Sequence, residues 1–147
     1  MDEKAFQFVP IDNRRSSAKP RNSGLTMISD YQLGMIALSD LLEVAGEYID
    51  IFKISTGTSR LFKRSLLEAK ISLLKENSIR PFLGGQFQEY VLHTMGFSNM
   101  QRHVSEARDL GFDIIEISEN LIEIDKSHKT ELIELIRQHG MSPVFEI

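Results

Sequence analysis

Two charged residues sit where strand sequence should not carry them. Lys53 lies within Ile49–Ser55 (IDIFKIS) and Glu116 within Phe112–Ser118 (FDIIEIS). A charge inside an apolar strand is costly unless it is paired or ligated, so each needs a partner. One such residue is as readily half of a structural ion pair as part of a site. Two of them, with Glu146 at the equivalent place in Met141–Ile147 (MSPVFEI), make function the better reading. A desolvated lysine can bind an anionic substrate or act as an acid. Convergent carboxylates can hold a hard divalent ion such as Mg²⁺ through oxygen ligands.

Further polar groups follow the apolar runs. Asp30 comes after the first, Gly84-Gly85 and Glu89 after the third, and Ser118 after the fourth. Between the second run and the next helical segment stands Ser55-Thr56-Gly57-Thr58-Ser59. Small hydroxyl residues and a glycine there can cradle phosphate at a helix N-terminus, although Thr58 or Ser59 can equally serve as a cap. Gly84-Gly85 fits either a turn or a backbone that approaches a ligand closely. His93, His103, His128 and His139 lack metal-site spacing, and a surface position is the expectation for each.

The elements that must position these residues alternate. Apolar runs at Gly24–Ser29, Tyr48–Ile54, Ile79–Leu83, Phe112–Ile117 and Met141–Ile147 read as buried strands. Helical spacing covers Leu33–Ala45, Arg60–Asn77, Phe87–Met95, Met100–Leu110 and Lys126–Gln138. Strand-helix-strand repeats imply parallel strands joined by right-handed crossovers, hence an α/β fold. An open doubly wound sheet and part of a (β/α)8 barrel compete on this pattern, and both place ligands at the carboxyl ends of the strands. The division expected is an irregular arm over 1–23 and an α/β domain over 24–147.

Composition narrows the function. A net charge of -4 over 147 residues argues against a general nucleic-acid binder, and the basic residues Arg14, Arg15, Lys19 and Arg21 are confined to the arm. With no cysteine, disulfides, thiolate metal sites and a cysteine nucleophile are excluded. The start is too polar for a secretory signal and no segment approaches the roughly 20 apolar residues of a membrane span, so a cytoplasmic protein without membrane partners is expected.

Read together, the segments resemble the phosphosulfolactate synthase family. The resemblance is carried by KPRNSGLTM (Lys19–Met27) with Asp30, YIDIFKISTGTS (Tyr48–Ser59), GGQFQE (Gly84–Glu89), GFDIIEIS (Gly111–Ser118) and VFEI (Val144–Ile147). It implies a (β/α)8 TIM-type barrel of which about five strands lie in this chain. It also implies a lyase that adds sulfite to phosphoenolpyruvate with Mg²⁺, a step leading to coenzyme M or related sulfonates. By their chemistry, at positions the resemblance supports, Lys53 and Glu116 are assigned to catalysis, and Glu89, Glu116 and Glu146 to the metal. Lys19, Arg21, Asp30, Thr58, Ser59, Gly84, Gly85 and Ser118 are assigned to substrate.

The sequence departs from the family pattern in places. Asp30-Tyr31-Gln32 stands where the family has Asp-Lys-Gly, Ser55 replaces a glycine, and Gln86 replaces a threonine. Ser118-Glu119-Asn120 stands for Ser-Asp-Gly. These changes keep open a barrel enzyme acting on another phosphorylated small anion. Plant heat-stress proteins of the same family keep open a non-catalytic, interaction role. Five strands with an open edge also lead us to expect a homo-oligomer or a partner C-terminal half.

Overall fold

The computed structural model describes residues 4–10, 12, 14 and 16–146, and Arg15 and Ile147 lie outside the described residues. Five strands form one sheet: β1 Met27–Asp30, β2 Ile51–Ile54, β3 Arg80–Leu83, β4 Ile114–Ile117 and β5 Ser142–Phe145. Each neighbouring pair is parallel, and the spatial order is β1-β2-β3-β4-β5. That order decides between the two architectures. A doubly wound sheet reverses its strand order at a switch point, whereas unbroken sequential order with right-handed crossovers keeps the helices on one side, as in a barrel.

Five α-helices supply that outer layer: α1 Met35–Ala45, α2 Arg64–Glu76, α3 Gln86–Met95, α4 Met100–Leu110 and α5 Lys126–Gln138. The limits of α4 and α5 are those expected from helical spacing. The segment before α2 is instead a short 3-10 turn over Thr58–Leu61. It follows two left-handed residues, Thr56 (φ 53°) and Gly57 (φ 73°).

Strand parity separates two faces. In register, Phe52, Ile54, Leu83, Ile115 and Ile117 turn toward the helices and join the main core with Leu38, Leu67, Val104 and Leu132. The other face carries Ser29, Lys53, Phe82, Ile114, Glu116 and Val144. In a barrel this is the interior, and it is the face on which a site would be built. One histidine departs from the surface expectation. His103 of α4 is 9% exposed, packs edge-on against Phe87, and is pushed down to about 4 by burial.

The helix side of the sheet holds its own ion pair. Asp30 ends β1 with Ile54 as its register neighbour, so its side chain enters the helix layer and meets Lys70 of α2. Both side chains are 1% exposed. Asp30 also accepts from the backbone N–H groups of Gln32 and Leu33, while Lys70 donates to the Leu33 carbonyl (2.7 Å) and lies over the Phe62 ring. The pair therefore ties α2 to the loop after β1. Removing one member leaves a buried charge without its partner, which costs about 3–5 kcal/mol. Lys70→Met should show a loss of that order in urea denaturation, and the double change Asp30→Asn with Lys70→Met should recover much of it. A Lys70→Met protein as stable as the parent contradicts this assignment.

Candidate active site

Lys53 and Glu116 stand on the inner face of strands that are not neighbours. One is on β2 and the other on β4, with β3 between them. Two strand spacings amount to about 10 Å, and the two long side chains close that distance above β3. Lys53 Nζ lies 2.6 Å from Glu116 Oε1, with the side chains 14% and 5% exposed. The ammonium also sits over the Phe82 ring, 5.5 Å from its centroid. The second carboxylate oxygen, Oε2, accepts from the backbone N–H of Gly85 at 2.6 Å.

The glycine pair is where this crossing happens. A side-chain carbon on Gly84 would stand 3.3 Å from Lys53 Cε and 3.0 Å from the Ile54 carbonyl. On Gly85 it would stand 2.9 Å from Glu116 Cγ and 2.5 Å from Ser118 Cβ. Both glycines leave room for the lysine and glutamate to meet. Their φ angles are not what requires glycine here; the close approach is.

A cleft of about 240 Å³ opens over the pair. Its walls are Ser29, Tyr31, Ser55, Thr56, Gly84 to Gln86 and Glu146, with Lys53 and Glu116 at its floor. Ser29 is the register neighbour of Lys53. Thr56, a β-branched residue at positive φ, is held in a conformation such residues seldom adopt. The hydroxyl of Ser55 is buried and has no hydrogen-bond partner. Ser29 has no place in the sequence-based assignment, and Ser55 and Thr56 enter it only within the Ser55–Ser59 segment able to cradle phosphate. The parity that puts Lys53 on the inner face also puts Ser55 there, and this was the available signal.

The structure does not bring every assigned residue to this cleft. Lys19 donates to the carbonyls of Gly46 and Asn77, each at 2.9 Å. Arg21 pairs with Asp50 at 2.7 Å and donates to the Glu47 carbonyl. All these partners precede β2 or β3, so both cations lie at the amino ends of the strands, where they latch the arm to the sheet. Asp30 faces the helices. Thr58 is buried with its hydroxyl on the Ser55 carbonyl (2.8 Å), and Ser59 lines a separate cavity of about 110 Å³ beside Phe87 and His103. Ser118 is fully buried, donating its N–H to Gln88 and its hydroxyl to Glu89. A larger groove of about 320 Å³ lies between α4 and α5, away from the strand ends.

Of the three glutamates assigned to metal, Glu116 and Glu146 line the cleft and Glu89 does not. Glu89 Oε1 accepts from the Ser118 hydroxyl and the Asn120 N–H, and Oε2 from the N–H groups of Leu121 and Ile122. Those four bonds fill the acceptor sites of a carboxylate. Burial works to raise the Glu89 carboxyl, but the Ser118 hydroxyl and the three backbone N–H groups outweigh it and hold it below the usual carboxylate range. Glu116 is bonded to Lys53 and Gly85, and Glu146 accepts from the Asn120 side chain at 2.8 Å. Among the described residues no group of three or more His, Cys, Asp or Glu side chains is placed to hold a metal ion. The Glu89–Glu116–Glu146 set therefore does not fit a magnesium site here.

Comparison with known proteins places this geometry in context. Residues 14–147 match the family model described as (2R)-phospho-3-sulfolactate synthase. The phosphosulfolactate synthase of Methanothermobacter thermautotrophicus is 32% identical over 143 residues, covering 97% of this chain and 53% of that protein. The Arabidopsis thaliana protein HEAT-STRESS-ASSOCIATED 32 is 27% identical over 141 residues, covering 92% of this chain and 49% of that one. The chain thus spans about half the length of the relatives it matches. Among solved structures, a xylose isomerase domain protein from Planctomyces limnophilus superposes with a TM-score of 0.52 at 13% identity. That match covers 82% of this chain and 52% of the other, and it supports the barrel-type fold alone. No helix among the described residues is long and apolar enough to cross a membrane.

The steric argument at the glycine pair has a direct consequence. Gly85→Ala must displace Ser118 or Glu116, both buried, and overpacking of this kind costs about 1–3 kcal/mol. A lowered denaturation midpoint, with altered backbone amide shifts at Glu116 and Ser118, is the expected result. A variant with unchanged stability and unchanged shifts at both residues contradicts the close packing described.

Proposed function

The chain belongs to the phosphosulfolactate synthase family, and from that premise we propose that the cleft over Lys53 and Glu116 takes phosphoenolpyruvate and promotes addition of sulfite to it. The observation that carries the reading is the Lys53–Glu116 pair, 2.6 Å apart at the floor of a polar cleft on the carboxyl side of the sheet. In this family setting the products of bond making are simple to assign. The sulfur lone pair of sulfite attacks the methylene carbon, and the new C–S bond pushes the double-bond electrons toward the substrate carboxylate. The neighbouring carbon then takes a proton, giving phosphosulfolactate.

Lys53 supplies the positive charge on which the developing enolate can rest, and its ammonium is the acid within reach of the cleft. Glu116 holds that ammonium at one oxygen and is itself fixed by the Gly85 N–H. The buried Ser55 hydroxyl and the strained Thr56 supply polar contacts on the wall of the cleft. Two positive side chains assigned to substrate in the sequence, Lys19 and Arg21, take no part.

A second reading is favoured by where the departures from the family pattern fall. Tyr31 and Gln86 line the cleft, and Asn120 holds Glu146, which also lines it. Changes at the cleft lining suit a different phosphorylated small anion handled by the same pair.

Incubation with phosphoenolpyruvate, sulfite and Mg²⁺, followed by mass spectrometry, separates the readings. Phosphosulfolactate formation that falls by about 100-fold or more in Lys53→Met supports the first. A folded chain that binds phosphoenolpyruvate without consuming sulfite supports the second. A folded chain that binds neither this anion nor any other phosphorylated small acid at the cleft contradicts both.

A further inference from the structure

We infer that Glu89 is a positioning residue of the cleft: its carboxylate nests the loop after β4, and through Asn120 that loop aims Glu146 into the site. The geometry is continuous. Glu89 stands in the first turn of α3, directly after the glycine pair, and is 1% exposed. It takes the hydroxyl of Ser118 and the successive N–H groups of Asn120, Leu121 and Ile122. Three consecutive backbone donors on one carboxylate fix the course of the loop, because leaving that course forfeits all three charge-assisted bonds at once. Asn120, with its backbone held in this way, extends its side-chain amide to Glu146 Oε2 at 2.8 Å. Glu146 is otherwise an exposed residue past the end of β5, tied to β4 by its own N–H on the Ile117 carbonyl.

The arrangement links the two elements that flank β4 at the cleft. Gln88, next to Glu89, accepts the Ser118 N–H as well, so the start of α3 grips the loop at both residues. With all its acceptor positions filled, Glu89 acts through Asn120 and does not contact an ion or a substrate. The inference rests on reading the cleft as the anion site, so its test uses neither phosphoenolpyruvate nor sulfite.

The test is NMR of the isotopically labelled full chain. In Glu89→Gln, a side chain of the same shape that offers one acceptor oxygen and an NH₂ donor, the amides of Leu121 and Ile122 should exchange about tenfold faster or more. The Asn120 side-chain NH₂ and the Glu146 carboxylate signals should move toward those of free side chains, while Ile54 and Ile115 amides stay protected. An anchor that merely stiffens the loop would speed exchange without moving the Glu146 signal, and that result overturns the positioning role. Should Glu89→Gln fail to fold, Asn120→Ala cuts the link further along. Loop amides should then remain protected while the Glu146 signal moves, and an unmoved Glu146 signal overturns the inference. Titration of the parent chain with Mg²⁺ supplies the competing outcome: displacement of the Glu89 carboxylate signal would make it a metal ligand and reject this account.

Discussion

The ion pair of Lys53 with Glu116 is the constraint around which the carboxyl end of the sheet is arranged. Two charges on the inner face of apolar strands are tolerated only when they answer each other. To do so they must cross an intervening strand. That crossing requires the two residues after β3 to lack side chains, since a carbon on Gly85 would overlap Ser118 and Glu116 and one on Gly84 would crowd the Ile54 carbonyl and Lys53. It also uses the Gly85 N–H to hold the far oxygen of Glu116. A buried ion pair is weak evidence for stability. A pair that demands this much of its surroundings, at the floor of a polar cleft, is better understood as part of a site.

A second buried pair shows the contrast. Asp30 and Lys70 are more deeply buried, but they face the helix layer, and their remaining bonds go to the backbone of the loop that follows β1. No cleft lining includes either of them among the described pockets. The two pairs are built from the same chemistry and sit on opposite faces of one sheet. Which face of the sheet they occupy decides that one is structural and the other is available to a ligand.

That distinction explains what was legible in the sequence. The alternation of strands and helices, the limits of α4 and α5, and the two intrusive charges could all be read, because each follows from local periodicity or from the cost of burying charge. Pattern left the choice between open sheet and barrel undecided, since both use the same strand-helix unit; strand order along the sheet resolves it. Lys19 and Arg21 were placed at the substrate because they adjoin a strand, yet adjacency in sequence does not say which end of the strand they reach. Asp30 was placed there because it ends a strand, although its parity with Ile28 turns it toward the helices. Glu89 was grouped with other glutamates by charge, and its four donors come from a loop some thirty residues further on. Long-range acceptor saturation of this kind has no signature in local spacing.

The central claim is that the small-anion site lies over the Lys53–Glu116 pair at the carboxyl ends of the strands. Backbone amide shift mapping with phosphoenolpyruvate tests it most directly. The account predicts shifts confined to Ser55, Thr56, Gly84, Gly85 and Gln86, lost in Lys53→Met. Shifts centred instead on Lys19, Arg21 and Asp50 at the opposite end of the sheet, or on the groove between α4 and α5, would contradict it.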